Sequence, residues 1–305
     1  MPFFGGSPAG RLRPVIAGAN AIRNGAGVDG PGSNGVFVYW LAARPPQLKL
    51  VGFLNAALYP AGECVDKAQN IYITDANGPV SGLHEIFEYA HGGTTPIAAL
   101  RDPAGEPNSC AVDPNTGNLA LTTSQYGAPN SEEIAVFKQG RGKPKLYSDN
   151  QFSAFSFCAC DDKSNLFVDG ASRSSTEFAE LPAGGRKLRE ITLNESFRAP
   201  GGVQWDGKHV AIGDSGAAVV YRFDISGSAG TEVGSTQLGR STTIHQFYIE
   251  LSNFGQGARK LIDPVIRDQS GLGSVDFFDY PSGGNSTRKL AKFSTPYAAV
   301  VSASL

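Results

Sequence analysis

A motif that returns about every 45 to 50 residues constrains this chain more than any other feature. Each copy is an apolar triplet, then Asp, then a Gly/Asn turn, then a second β-rich run. In PAGECVDKAQNIYITD, PNSCAVDPNTGNLALTT, FSFCACDDKSNLFVDG and PGGVQWDGKHVAIGD, the acidic residue is Asp66, Asp113, Asp161 and Asp206. Self-similarity at a fixed period of this length marks a repeat architecture, and four-stranded blades of a β-propeller fit it.

Two independent counts predict six blades. An aromatic or Leu-ended strand running into a Gly-rich turn occurs six times, entering the turn at Tyr39, Tyr89, Phe137, Leu181, Phe223 and Tyr280. Aligning the inner strands on the residue six before the Asp gives Pro60, Pro107, Phe155 and Pro200. Two weaker copies then fall into register, Ile244 leading to Glu250 and Pro296 leading to Ser302. The last copy ends the chain, so its blade needs outer strands from the N-terminus. VFVYW and QLKLVGFL supply two of these and PVIAGANAI (14 to 22) a third. The expected fold is therefore all-β: a six-bladed β-propeller with four antiparallel strands per blade, closed by N- and C-terminal strands sharing one blade. That closure leaves no open sheet edge at the seam. Residues 1–13 read as a flexible N-terminal segment, 14–305 as one propeller domain, and GAGVDGPGSNG as a flexible loop. In the long fifth repeat, Pro264 predicts an edge or bulge in the middle of LSNFGQGARKLIDPVIRDQSGLG.

Composition narrows the function classes. The 305 residues include 38 Gly and only 18% charged residues, with a net charge of −2. No broad basic footprint for nucleic acid exists. The one basic cluster, Arg141, Lys143 and Lys145 in QGRGKPK, reads as a solvated hairpin tip. No run is long and apolar enough for a membrane span, and MPFFGGSPAGRLRP lacks the order of a signal peptide. A monomer is expected, in a cytoplasmic, secreted or periplasmic setting that the sequence does not distinguish.

The repeated Asp invites two readings, a ring of metal ligands or a set of turn caps. Capping is favoured, because an Asp ahead of a Gly/Asn turn accepts backbone N–H bonds, and one per blade is what a repeat requires. The four Cys also leave alternatives open. Cys110 and Cys158 occupy equivalent positions in consecutive repeats, with Cys64 one residue out of register and Cys160 two beyond Cys158. They read as buried core thiols, or, more sharply, as a Cys110–Cys158 disulfide between converging inner strands. A zinc site from CAC lacks accompanying ligands.

The copies GECVDKAQNIYITD and SCAVDPNTGNLALTT resemble the NHL repeat. Over most of residues 35 to 305 the chain is similar to six-bladed propellers of the NHL and SMP-30/gluconolactonase type. The NHL likeness implies a scaffold, a binder or a lyase. The SMP-30 likeness implies a divalent-metal lactonase whose Glu, Asn and Asp ligands reach the axis from the loops leading into inner strands. At the corresponding ring positions this chain has Ala61, Asn108, Ser156, Gly201, His245 and Tyr297. Only Asn108 keeps the family's polar type. Gly201 stands where a ligand Asn would be, and Ala61 where an Asp is common. Glu63 is the only carboxylate near the ring, and hard divalent ions usually need more than one. No metal or other cofactor is expected; the weak alternative is one Ca or Mg ion on Glu63 and Asn108.

What remains is an axial set of Asn108, Ser156, His245, Tyr297 and Gln246, suited to hydrogen-bonding a small polar molecule or a protein partner. His245 with Glu63 is the candidate acid/base pair if the ring brings them together. No nucleophile elbow, Walker loop or His-Glu-x-x-His motif occurs. The expected function is non-catalytic binding at the axial loop face, with a divergent SMP-30-like lactonase, hydrolase or lyase as the alternative.

Overall fold

In this computed structural model, the described residues are 15–20, 35–41, 48–54, 60–76, 84–103, 105–124, 133–172, 175–239, 243–251, 259–265, 273–293 and 296–302. The expectations for residues 1–13, for most of GAGVDGPGSNG and for parts of the fifth-repeat insertion lie outside them.

The chain is an all-β propeller. The described strands form six antiparallel sheets, five of four strands and one with a fifth strand added in parallel. Numbered in chain order by their inner strands, the sheets begin at Pro60–Val65, Glu106–Val112, Ala154–Cys160, Pro200–Trp205, Tyr248–Ile249 and Ala299–Ser302. The inner strand of the sixth sheet pairs with Val15–Asn20, which pairs in turn with Val36–Leu41.

Burial explains why inner and outer strands differ in sequence. Ile71–Asp75 and Val210–Asp214, the second strands of their sheets, are buried at every residue because a neighbouring sheet covers each face. Such strands read as continuous apolar runs rather than alternating ones. The outermost strand Pro96–Arg101 alternates between half-buried and exposed residues. Each hydrophobic cluster joins two consecutive sheets. Cys64, Tyr72 and Ile86 pack with Cys110, Leu121 and Phe137, and Val36, Val38 and Leu54 pack with Ile71, Ile73 and Tyr89. At the junction of the sixth and first sheets, Ser302 Oγ donates to the Gln69 carbonyl at 2.7 Å and lies 2.6 Å from His91 Nδ1.

The repeated Asp residues cap turns, as the sequence suggests. Asp66 Oδ1 accepts from Asn70 N at 2.8 Å, Asp113 Oδ1 from Asn115 N at 2.9 Å, Asp161 Oδ1 from Lys163 N at 2.8 Å and Asp206 Oδ1 from His209 N at 2.7 Å.

Four details differ from expectation. The disulfide links Cys64 to Cys110, with Cα atoms 5.7 Å apart, while Cys158 and Cys160 are free. The reason is strand parity. Cys110 and Cys158 are equivalent, so both face backwards around the ring: Cys110 Sγ lies 4.0 Å from the Tyr72 carbonyl and Cys158 Sγ 4.0 Å from the Ala120 carbonyl, each in the preceding sheet. Equivalent side chains cannot meet. Cys64, one residue out of register, faces forwards and meets Cys110.

Pro264 sits within Arg259–Val265, an interior strand rather than an edge. It is tolerated because the inner strand beside it pairs only through Tyr248 and Ile249, opposite Ile262 and Leu261, leaving no described ladder partner on that side at Pro264. Tyr39 and Phe223 do not enter turns, since their strands continue to Leu41 and Ser226. Arg141 is not simply solvated: its Nη1 contacts Glu88 Oε2 of the first sheet at 2.6 Å.

Candidate functional site

Each of the first four inner strands carries a register shift near its start, between Pro60 and Glu63, Pro107 and Ser109, Phe155 and Cys158, and Pro200 and Val203. In the first and third sheets a side chain of the second strand accepts from an amide within the bulge. Thr74 Oγ1 accepts from Gly62 N at 2.7 Å, and Asp169 Oδ1 accepts from Phe157 N at 2.8 Å. Bulges re-aim side chains at barrel rims and beside sites. Here they lie at the axial mouth, where Asn108, Ser156 and Phe157 are half-buried.

Gln246 bridges two inner strands below that mouth. Its Nε2 donates to the Glu63 carbonyl at 2.7 Å and to the Cys110 carbonyl at 3.3 Å, and its Oε1 accepts from Glu63 N at 3.1 Å. A fifth-sheet side chain thus reaches the first and second inner strands across the centre of the ring. It is buried. The approach requires Gly62, where a Cβ would lie 2.6 Å from the Asn108 carbonyl and 3.0 Å from Gln246 Oε1. Gly202 has the same role behind His245: its φ is +86°, and a Cβ there would lie 2.5 Å from the His245 carbonyl.

His245 and Tyr297 come together at the mouth. Their rings meet edge to face with centroids 5.7 Å apart, and Phe157 approaches the imidazole edge-on at 6.4 Å. Burial in this aromatic setting pulls the His245 imidazole down to about 4, so it is neutral at physiological pH. Tyr297 is 38% exposed and forms the outer lip. Asn108 Nδ2 leans on the Phe155 carbonyl at 3.4 Å, and the Ser156 carbonyl accepts from Thr122 Oγ1 at 2.8 Å.

Glu63 occupies the backward-facing position equivalent to Cys110 and Cys158, opposite Ile73 as they are opposite Leu121 and Val168. It is buried, and burial pushes its carboxyl well above the ordinary range. Its Oε2 has no hydrogen-bond partner among the described residues. The position is therefore inter-sheet core rather than mouth. Among the described residues no group of three or more His, Cys, Asp or Glu is placed to hold a metal ion.

Two residues absent from the sequence reading matter here. Phe157 packs against the core between the third and fourth sheets and brings its ring edge-on to His245, and Asp169 holds the bulge. Asp169 is fully buried, and burial raises its carboxyl to about 7 despite the Phe157 amide bond. The signal for Asp169 was a lone acidic residue inside the apolar run LFVDG. Phe157 had none, since an aromatic in an inner strand reads as core.

The mouth thus offers a neutral imidazole, two other aromatic rings and an amide above the Gln246 bridge.

No protein-family model matches the chain, and no curated protein does. Solved structures are similar over nearly all of it. A chain of a nidogen/laminin complex superposes with a TM-score of 0.66 at 14% identity, covering 96% of this chain and 98% of that one. A Lactobacillus plantarum protein gives 0.60 at 13%, covering 95% and 99%. A protein of unknown function from Bacteroides caccae gives 0.62 at 14%, covering 95% and 99%. At these identities the likeness shows the propeller fold alone. Among the described residues no helix is long and apolar enough to cross a membrane.

Proposed function

We propose that this chain is a six-bladed recognition propeller, closed by the pairing of its last strand with Val15–Asn20, that docks a protein partner at its axial mouth without catalysis. The observation that carries this reading is the Gln246 bridge beneath the aromatic mouth. With Gln246 bonded across the axis, the mouth is an aromatic surface with hydrogen-bonding groups at its edge. Exposed Tyr beside neutral, polar side chains is the composition of protein contact surfaces. The six sheets and the cyclic series of core clusters support the blade count. The NHL-type assignment rests on the Asp-capped turns. The propeller in a nidogen/laminin complex gives a precedent for the fold in protein assembly, by analogy only. The Cys64–Cys110 bond favours an oxidising compartment, extracellular or periplasmic.

A small polar ligand on Asn108, His245 and Tyr297 is the second reading, favoured by the half-buried amide of Asn108. The lactonase or lyase alternative has less support. His245 held near 4 is a weak base at neutral pH, and Glu63 sits in the inter-sheet core. The test is turnover of a lactone panel with and without calcium, magnesium, manganese or zinc. The expected result is no turnover above that of an Asn108→Ala, His245→Ala double variant. Metal-dependent turnover lost in that variant would replace binding with catalysis.

A further inference from the structure

At the opposite end of the inner strands from the mouth, the second and third sheets part to form a cleft of about 440 Å³. That volume suits a small organic molecule. Its floor is apolar, with Val136 on one side and Leu166 and Leu181 on the other. Lys145 and Lys163 are exposed and stand in its walls, and neither belongs to any of the salt bridges formed among the described residues. Lys145 Nζ lies 4.5 Å from the centre of the Tyr147 ring, a further wall residue.

Asp113 is the one carboxylate in the lining, and its oxygens are already engaged. Oδ1 accepts from Asn115 N at 2.9 Å and from Ser164 Oγ at 3.0 Å, and Oδ2 accepts from Thr116 Oγ1. Its charge is therefore used in holding the turn. Two lysine cations without carboxylate partners remain above an apolar floor.

We propose that this cleft binds a small amphipathic organic anion, its apolar part against Leu166, Leu181 and Val136 and its carboxylate or sulfonate between Lys145 and Lys163. The arrangement satisfies both halves of such a molecule. Burial of the hydrocarbon supplies the non-directional attraction, and the ammonium groups fix which end faces out. A neutral lipid-like ligand would leave the lysines unused, and a short polar anion would leave the floor wet.

The probe is 8-anilinonaphthalene-1-sulfonate, titrated by fluorescence against the full chain. Saturable one-site enhancement is expected, displaced by decanoate but not by decanol or butyrate. The Lys145→Glu, Lys163→Glu double variant should bind the probe at least tenfold more weakly at an unchanged melting temperature, and the double Arg variant should restore binding. Tyr297→Ser, at the other end of the ring, should bind as the parent does. Unchanged affinity in the double Glu variant, displacement by decanol as effective as by decanoate, or no saturable enhancement would overturn the assignment. Loss of probe binding in Tyr297→Ser would place the probe at the mouth and likewise overturn the cleft assignment; the remaining results concern the cleft alone, so the two sites stand or fall separately.

Discussion

Gln246 hydrogen-bonds both main-chain groups of Glu63, its Nε2 donating to the carbonyl at 2.7 Å and its Oε1 accepting from the amide at 3.1 Å, as an adjacent strand would. The partners come from opposite parts of the chain, 183 residues apart. One side chain thereby takes up buried backbone groups that the ring geometry leaves without a ladder.

Replacing Gln246 should be costly for that reason. Gln246→Leu removes the partners of two buried carbonyls and one amide, and should destabilise the fold by about 2–4 kcal/mol. Gln246→Glu should be at least as damaging, because an ionised carboxylate has no proton for the carbonyls of Glu63 and Cys110. Chemical denaturation of the two variants checks both statements.

Gly62→Ala should destabilise by about 1–3 kcal/mol or more, since the added carbon meets the backbone of the neighbouring strand, with Ser109 Cα at 2.7 Å and the Asn108 carbonyl at 2.6 Å. Gly117→Ala, with open space around it but φ of +71°, should cost only about 1 kcal/mol. Thermal melts of the pair separate crowding from backbone conformation.

The covalent link gives a direct check on strand parity. Peptide mapping of non-reduced protein should recover Cys64 joined to Cys110, with Cys158 and Cys160 as free thiols. The Cys64→Ser, Cys110→Ser variant should lose about 2–4 kcal/mol of stability. Cys158→Ser should leave the link intact.

Much of the fold was legible, because the repeat binds each turn to a residue type that serves it. Asp66, Asp113, Asp161 and Asp206 announce their turns, and the inner strands begin at or one residue before Pro60, Pro107, Phe155 and Pro200. The site was less legible. Asn108, His245 and Tyr297 could be placed on the ring by counting, yet Gln246 is indistinguishable in sequence from a ligand-binding amide. Its role depends on a contact across the axis that no local pattern encodes. The cysteine pairing failed on a subtler point: equivalence in a repeat means facing the same way, so the out-of-register Cys64 was the better partner.

Two buried groups pull stability in opposite directions with pH. His245 titrates near 4 when folded and near its ordinary 6.5 when unfolded, so the unfolded chain binds more protons between those values. Its contribution is complete above 6.5 and falls as pH drops towards 4. Asp169 titrates near 7 when folded against an ordinary value of 3.8, so the folded chain binds more protons and stability falls as pH rises through that window. His245→Phe should therefore flatten the acid side of the stability profile, retaining about 1–3 kcal/mol more at pH 4.5 than the parent relative to pH 7. Asp169→Asn keeps an acceptor for the Phe157 amide and should raise stability at pH 8 more than at pH 5. Urea midpoints across pH 4 to 8 test both signs.

Site-specific photocrosslinking tests whether the axial mouth is a docking surface. A photoreactive phenylalanine analogue replaces Tyr297 in one form and the exposed Ile97, on an outer strand, in a control, and each is irradiated in native extract. A discrete adduct is expected at position 297, competed away by unlabelled parent protein and not by an Asn108→Ala, His245→Ala variant. No adduct at 297, or the same adducts from 97, would contradict it.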